Sequence, residues 1–361
     1  MNESEVIFEE CSPNGNLWAI VESDEETCYF YLHPDASLKM PVRSCWLRNL
    51  KPAPQLLEVS RMREGKPPML PAPFCKHPMG SQNPDSAALS VIWSEEGDAA
   101  ALCENGDIIA ILDRIGATDE VDGFSRDCVG FGPLCHELAT GSNSLSKWIL
   151  AKDYWESWSK GEGPWPDYQK FGVDVLDATF GAHSNYYGID GGNWPPKAML
   201  RFNQKHVTLL ITLGMGLRAQ PGVELFHKDI QTKRRIELAL CLDMQVASQS
   251  VDLFARYLSG QSSFPWSFAT FLGAGHTLPS DVLNQVTNGR FTCFILDPNP
   301  PEVPALRFPD FRGELVNVLW MRAISEKERV FAEQQGSQEL FQLLNQLPTS
   351  AIHSLARNEV L

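Results

Sequence analysis

Four groups of residues in the C-terminal half have types and spacings that could support chemistry. Gly214-Met215-Gly216-Leu217-Arg218-Ala219 fits the G-x-G-x-x-A pattern directly after an apolar run, and Glu237 follows at a distance suited to a ribose-binding acid. Such a pattern cradles a dinucleotide pyrophosphate when its last residue opens a helix. His276 sits in the glycine-rich stretch LGAGHTLP, where it could act as a general base oriented by Asp281, Glu224 or Asp190. The forked donors of Arg234 and Arg235 could clamp a carboxylate. Tyr186, Tyr187, Asp190, Gly191, Gly192, Trp194, Pro195 and Pro196 form an aromatic, turn-rich loop of the kind that recognition surfaces use. Trp266, in LSGQSSFPW, adds another aromatic anchor.

Each group also has a plainer reading. Gln220-Pro221-Gly222 interrupts the glycine pattern at once and VELF (223–226) resumes as a strand, so the glycines should make a sharp bend between strands. His276 can fix a tight turn by bonding to backbone. Arg234 and Arg235 can be a solvated strand end bonded to nearby acids. The aromatic loop can be a well-anchored structural loop. No G-x-S-x-G elbow, H-E-x-x-H pair or Cys with a matched partner signature accompanies them. Cys128, Cys135 and His136 are the nearest approach to a metal set, at a spacing that fits no standard zinc knuckle. No catalytic residue, cofactor or metal is therefore expected.

The elements that must position these groups are legible in outline. LWAIVES (17–23) and TCYFYLHP (27–34) read as strands around a polar turn. Eight prolines between Pro52 and Pro84 make residues 51–86 a long surface connection. ALSVIWSEE (88–96), DAAALCE (98–104) and DIIAILD (107–113) form a second β unit, the last pair joined at Asn105-Gly106. Residues 144–160 read as a helix with Leu145, Trp148, Ile149, Trp155 and Trp158 on one face. VTLLITL (207–213), IELALCL (236–242), FTCFIL (291–296) and LVNVLWM (315–321) are apolar on both faces, as buried strands are. Ser325 and Glu328 form a capping box, Gly336 ends that helix, and Ser337 starts a Leu-rich one closed by Pro348.

Composition sets the outer bounds. A chain of 361 residues with 43% hydrophobic residues suits two folded domains. A net charge of −15 disfavours nucleic acid and favours basic partners. No apolar run reaches the roughly 20 residues that span a bilayer. MNESEVIFEE lacks an apolar signal core, and nine scattered cysteines without a CxxC suit a reduced, cytoplasmic protein. The expected organisation is a β-rich N-terminal domain (1–143), a second domain (144–348) and a peripheral tail (349–361).

The ordered series LITLGMGL, VELF, RRIELALCL, FLGAGHTLP, FTCFILDP and LVNVLWMRAISEKERVFAEQQGSQELFQLL resembles the suppressor-of-fused domain family over about residues 165–347. The resemblance implies an α/β (α+β) fold, with a mixed β-sheet flanked by helices, and no established catalytic residues. It implies a protein partner, taken up in the animal relative as an added β-strand, and in bacterial relatives a toxin domain neutralised by an immunity protein. Residues 1–150 do not match the animal pattern. The expectation is thus a non-catalytic, cytoplasmic protein-binding module, most plausibly a bacterial immunity protein facing a basic toxin domain. The candidate binding residues are Tyr186, Tyr187, Asp190, Trp194, Glu224, Arg234, Arg235, Trp266 and His276. The alternative is a hydrolase-like enzyme or small-ligand receptor in which Asp190, Glu224, Arg234 and His276 converge in one pocket.

Overall fold

The computed structural model describes residues 4–36, 41–113, 121, 123–138, 143–243, 248–304, 306–308, 310–347, 352 and 354–361. Packing divides the chain into two units, Met1–Gly161 and Glu162–Leu361.

The first unit opens with an antiparallel meander of β1 (Glu5–Cys11), β2 (Leu17–Ser23), β3 (Thr27–Pro34) and β4 (Arg43–Asn49). β2 turns Leu17, Ala19 and Val21 inward, the period-2 alternation of a half-buried strand. The Pro-rich connection contains one short helix, α1 (Val59–Arg63), and it is not wholly superficial. Leu70 is fully buried because the Asn49 amide donates to its carbonyl at 2.8 Å and accepts from its N–H at 3.0 Å. A second sheet runs in order through β5 (Leu89–Trp93), β6 (Ala100–Glu104), β7 (Asp107–Leu112), β8 (Gly123–Ser125) and β9 (His136–Glu137). Asn105 and Gly106 turn between β6 and β7 with φ of 55° and 86°, the left-handed pair a type I′ hairpin requires. Residues from both sheets, among them Phe30, Trp46, Trp93 and Leu102, share one core.

Helix α2 (Asn143–Trp158) packs on the second sheet through Trp148, which lies among Ala99, Ala101 and Ile111. The Trp155 indole donates to the carbonyls of Trp93 and Ser94 at 3.1 and 3.2 Å. Tyr154 is buried, whereas Ile149, expected on the packed face, is 64% exposed. The side chain of Leu145 lies outside those described. The helix belongs with the first unit, so the division falls after Gly161 and not at residue 143.

The second unit starts with α3 (Trp165–Phe180), β10 (Asn185–Gly188), β11 (Ala198–Asn203), β12 (Val207–Leu213) and β13 (Arg235–Asp243). Then come α4 (Ser248–Gln261), α5 (Phe264–Ser267), β14 (Thr277–Pro279), α6 (Asp281–Val286), β15 (Cys293–Asp297), β16 (Val316–Ile324), α7 (Glu326–Gln335) and α8 (Ser337–Asn345). LSGQSSFPW is thus the end of α4 followed by α5, and VELF is a 3₁₀ turn at Val223–Leu225, not a resumed strand. Pro221 and the left-handed Gly222 (φ 75°) explain the second change, since together they break the extended path.

The sheet order is β10-β11-β12-β13-β16-β15-β14, with β13 and β16 parallel and all other pairs antiparallel. Val251, Phe254 and Leu258 of α4 cover one face through Leu238, Leu240 and Phe294. Leu340, Phe341 and Leu344 of α8 pack with Ile295 and Ile324. On α3, Gly172 allows close approach, since a Cβ there would lie 2.2 Å from Leu213 Cδ1. This is the mixed, helix-flanked α+β architecture that the family resemblance implied. Among the described residues no helix is long and apolar enough to cross a membrane.

Ser325 and Glu328 complete both halves of the capping box, at 3.3 and 2.9 Å. Glu328 has a second role that makes the C-terminal tail part of the core. Its oxygens accept from both terminal nitrogens of Arg357 at 2.8 Å, and from the Val360 N–H at 2.9 Å. Both side chains of the pair are fully buried and Ile352 is only 3% exposed, so the tail is not peripheral. Pro348 and Thr349 lie outside the described residues.

Burial pushes the Glu328 carboxyl up, but the Arg357 guanidinium and the Ser325 and Val360 N–H groups hold it below its ordinary value of 4.5. A depressed carboxyl contributes stability that is complete above about pH 4.5 and is lost as pH falls through the folded value. Arg357→Ala should therefore cost about 3–5 kcal/mol at neutral pH by stranding a buried carboxylate. Thermal melts should show the gap to wild type narrowing as pH falls, first as the stranded carboxyl of the variant takes up a proton and then, below about pH 4.5, as wild type loses its own contribution. A gap that is small at pH 7, or constant with pH, would contradict the assignment.

Candidate functional site

The glycine pattern is occupied by the protein's own acid. β12 ends at Leu213, and Gly214, with φ of 113°, turns the chain into a 3₁₀ turn over Met215–Leu217. The turn aims the N–H groups of Gly214 and Gly216 at one Glu237 oxygen, at 2.8 and 3.1 Å. Tyr168 Oη on α3 donates to the same oxygen at 2.7 Å, and Thr212 Oγ1 to the other at 2.7 Å. Glu237 is fully buried. Burial pushes its carboxyl up, while the four donors from Gly216, Thr212, Tyr168 and Gly214 pull it back down without fully offsetting that rise. A Cβ on Gly216 would fall 2.3 Å from Tyr168 Oη, so the cradle is filled sterically as well. The loop is an anion nest whose anion is internal.

Arg234 and Arg235 clamp a carboxylate, and it too is internal. Arg234 Nε lies 2.9 and 2.8 Å from the two Glu314 oxygens, and Arg235 Nε donates to Glu314 at 2.7 Å. Arg235 Nη1 donates to the Gly216 carbonyl at 3.1 Å, and its guanidinium lies 4.9 Å from the Phe311 ring centre. Arg235 is completely buried, which corrects its reading as a solvated strand end. The reason is β13, whose first residue already pairs with Val316 of β16 and reaches the Gly216 carbonyl of the turn after β12.

Asp190 shapes its own loop, accepting from the N–H of Gly192 at 2.6 Å and of Lys197 at 2.9 Å. Behind it, Arg218 lies between two indoles, 5.2 Å from the Trp194 ring and 5.5 Å from that of Trp266. Trp266 Nε1 donates to the Ala219 carbonyl at 2.8 Å. Lys197 is buried beside this stack and donates to the Ser262 carbonyl at 3.3 Å. Burial, then the neighbouring Arg218 charge, bring its amine down to about 8. Lys197 and Arg218 escaped the sequence reading, although a cation next to Ala198-Met199-Leu200 signals a buried group needing partners.

Glu224 sits half-buried in the Val223–Leu225 turn. His276 stacks against Phe271 at 4.9 Å, and burial lowers its pKa against the opposing hydrogen bond with the Phe271 backbone. It lines a cavity that none of Asp190, Glu224 and Arg234 lines, so the four residues of the expected catalytic pocket do not meet there.

Tyr186 and Tyr187 lie on β10, the edge of the seven-stranded sheet. Tyr187 packs on the sheet core, while Tyr186 is 39% exposed and accepts from Gln169 at 2.6 Å. The Ile189 N–H bonds the Lys197 carbonyl at 2.9 Å and the register runs Tyr187↔Met199, so alternation turns the N–H groups of Tyr186 and Gly188 outward. Among the described residues of this unit no strand pairs with that outer side. Of the candidate residues, Tyr186 and Tyr187 lie on this unpaired edge.

Replacing Glu237 with Gln places an NH₂ donor among N–H and O–H donors. Glu237→Gln should lose about 1–3 kcal/mol for each donor left unsatisfied, read as a lower denaturant midpoint with an unchanged m-value. A variant as stable as wild type would remove the carboxylate from its central place.

Residues 193–358 match the family model described as Suppressor of fused protein (SUFU). The match begins after α3 and runs ten residues and more past the expected limit at 347, taking in Arg357. Among solved structures, a chain of the Sufu–Fu complex is 14% identical, with a TM-score of 0.38, covering 54% of this chain and 92% of that one. Drosophila Suppressor of Fused is 10% identical, with a TM-score of 0.35, covering 54% of this chain and 51% of that one. No curated protein sequence matches. The suppressor-of-fused family model thus matches the greater part of the second unit.

Proposed function

We propose that this chain is a non-catalytic protein-binding module, and that its partner is a toxin domain which it neutralises as an immunity protein. The suppressor-of-fused match over residues 193–358 carries the reading. The open edge of β10 supplies a mode of binding: a partner segment adds as a strand to the outward N–H groups of Tyr186 and Gly188, with exposed Tyr186 as side-chain anchor. A net charge of −15 favours a basic partner, such as a nuclease-type toxin, and speeds its association. Nine cysteines without a disulfide suit action in the reducing cytoplasm.

The internal use of Arg234, Arg235, Glu314 and Asp190 weighs against the alternative of a hydrolase-like site built on them. Those groups would have to abandon partners within their own chain to reach a substrate.

Affinity capture of the tagged chain from its source organism, followed by mass spectrometry, should recover a basic protein whose association slows steeply with added salt. Tyr186→Lys, a change at an exposed edge position, should reduce that capture without lowering thermal stability. Recovery of no stable partner, or of one indifferent to salt and to Tyr186→Lys, would contradict the proposal.

A further inference from the structure

Where β13 and β16 begin and β15 ends, the second unit holds a cavity of about 630 Å³, within the range typical of small-ligand sites. Its walls come from the loop preceding β14, from the turn before β13 and from the proline-rich segment after Asp297. Half-buried Phe271, Leu306 and Leu315 contribute apolar surface. The polar groups are Lys233, Arg307, His227, His276, Asn299 and Asn317. No Asp or Glu lines it among the described residues, in a chain with 45 acidic and 30 basic residues.

Lys233 and Arg307 differ from four buried or half-buried arginines of this unit. Arg234, Arg235, Arg322 and Arg357 are each tied to a carboxylate. Lys233 and Arg307 line the cavity, and no acid stands on its wall to neutralise them. The site is also anchored. Asn317 donates to the carbonyls of Thr232 and Arg235 at 2.8 and 3.4 Å, fixing the backbone on both sides of Lys233. The His276 backbone is held at both ends, its N–H by the Gly273 carbonyl at 3.1 Å and its carbonyl by the Leu296 N–H at 2.9 Å. His227 and His276 flank the Phe271 ring at 5.6 and 4.9 Å, presenting two imidazoles beside an aromatic face.

We infer that this cavity binds a small organic anion: a carboxylate or phosphate head met by Lys233 and Arg307, on an apolar body resting against Phe271 and Leu306. The head takes hydrogen bonds from charged donors, and the imidazoles and the side-chain amide of Asn299 add neutral ones. The site uses none of the residues of the β10 edge, so it stands or falls separately from the protein partner.

The full-length chain titrated calorimetrically with 2-naphthoate and 2-naphthyl phosphate should bind at least one, and the tighter of the two identifies the head. The neutral isostere 2-naphthamide should bind roughly tenfold more weakly, the difference one charged hydrogen bond makes. Lys233→Ala and Arg307→Ala change exposed side chains and should leave the melting temperature unaltered. Each should weaken the anion roughly tenfold while leaving the amide unaffected. No binding of either anion, equal affinity for the amide, or anion binding indifferent to both substitutions would overturn the inference.

Discussion

The carboxylate of Glu237 ties the second unit together. It stands near the start of the apolar strand β13, with no access to water, and meets donors from three directions: Tyr168 on α3, Thr212 on β12 and the backbone of the Gly214–Gly216 turn. A charge in that position is tolerable only if every lone pair is occupied. The exit from β12, the placement of α3 and the path toward β13 are therefore set jointly. Arg235 extends the same constraint, since it holds the Gly216 carbonyl from the other side while gripping Glu314. Glu328 repeats the device at the far end of the sheet, where it both caps α7 and secures the C-terminal tail.

These buried acids explain which features could be read in the sequence. Strands buried on both faces announce themselves by composition, and β12 begins and ends where its apolar run does. The capping box is local, so Ser325 and Glu328 could be paired from their spacing alone. The hairpin at Asn105-Gly106 follows from the conformations those two residues permit. What escaped depends on distant chain. Helices α3 and α4 were missed because their buried stripes are interrupted by polar residues, and β10 and β11 because they are short and close to Gly and Pro. Arg357 looked like part of a weakly patterned tail until Glu328, twenty-nine residues earlier, supplied its partner.

The same dependence decides how much of the candidate site was legible. The sequence suggests Glu237 only as the ribose-binding acid of a nucleotide site, a reading that Pro221 sets aside in favour of a sharp bend. The geometry reverses the role: the carboxylate fills the nest that a pyrophosphate would need. A lone acid inside RRIELALCL was the available signal, because burial obliges such a group to find donors nearby. Arg234 and Arg235 likewise do what forked donors do, with an acid from their own chain. With these groups spent internally, the proposed binding modes rest on the outer edge of β10 and on the cavity lined by Lys233 and Arg307.

Backbone amide hydrogen exchange across the second unit tests this division most directly. The account predicts slow exchange for Gly214 and Gly216, whose N–H groups are buried on Glu237, and fast exchange for Tyr186 and Gly188 on the open edge. Nest amides exchanging as freely as an open loop, or edge amides as protected as those of β12, would contradict it.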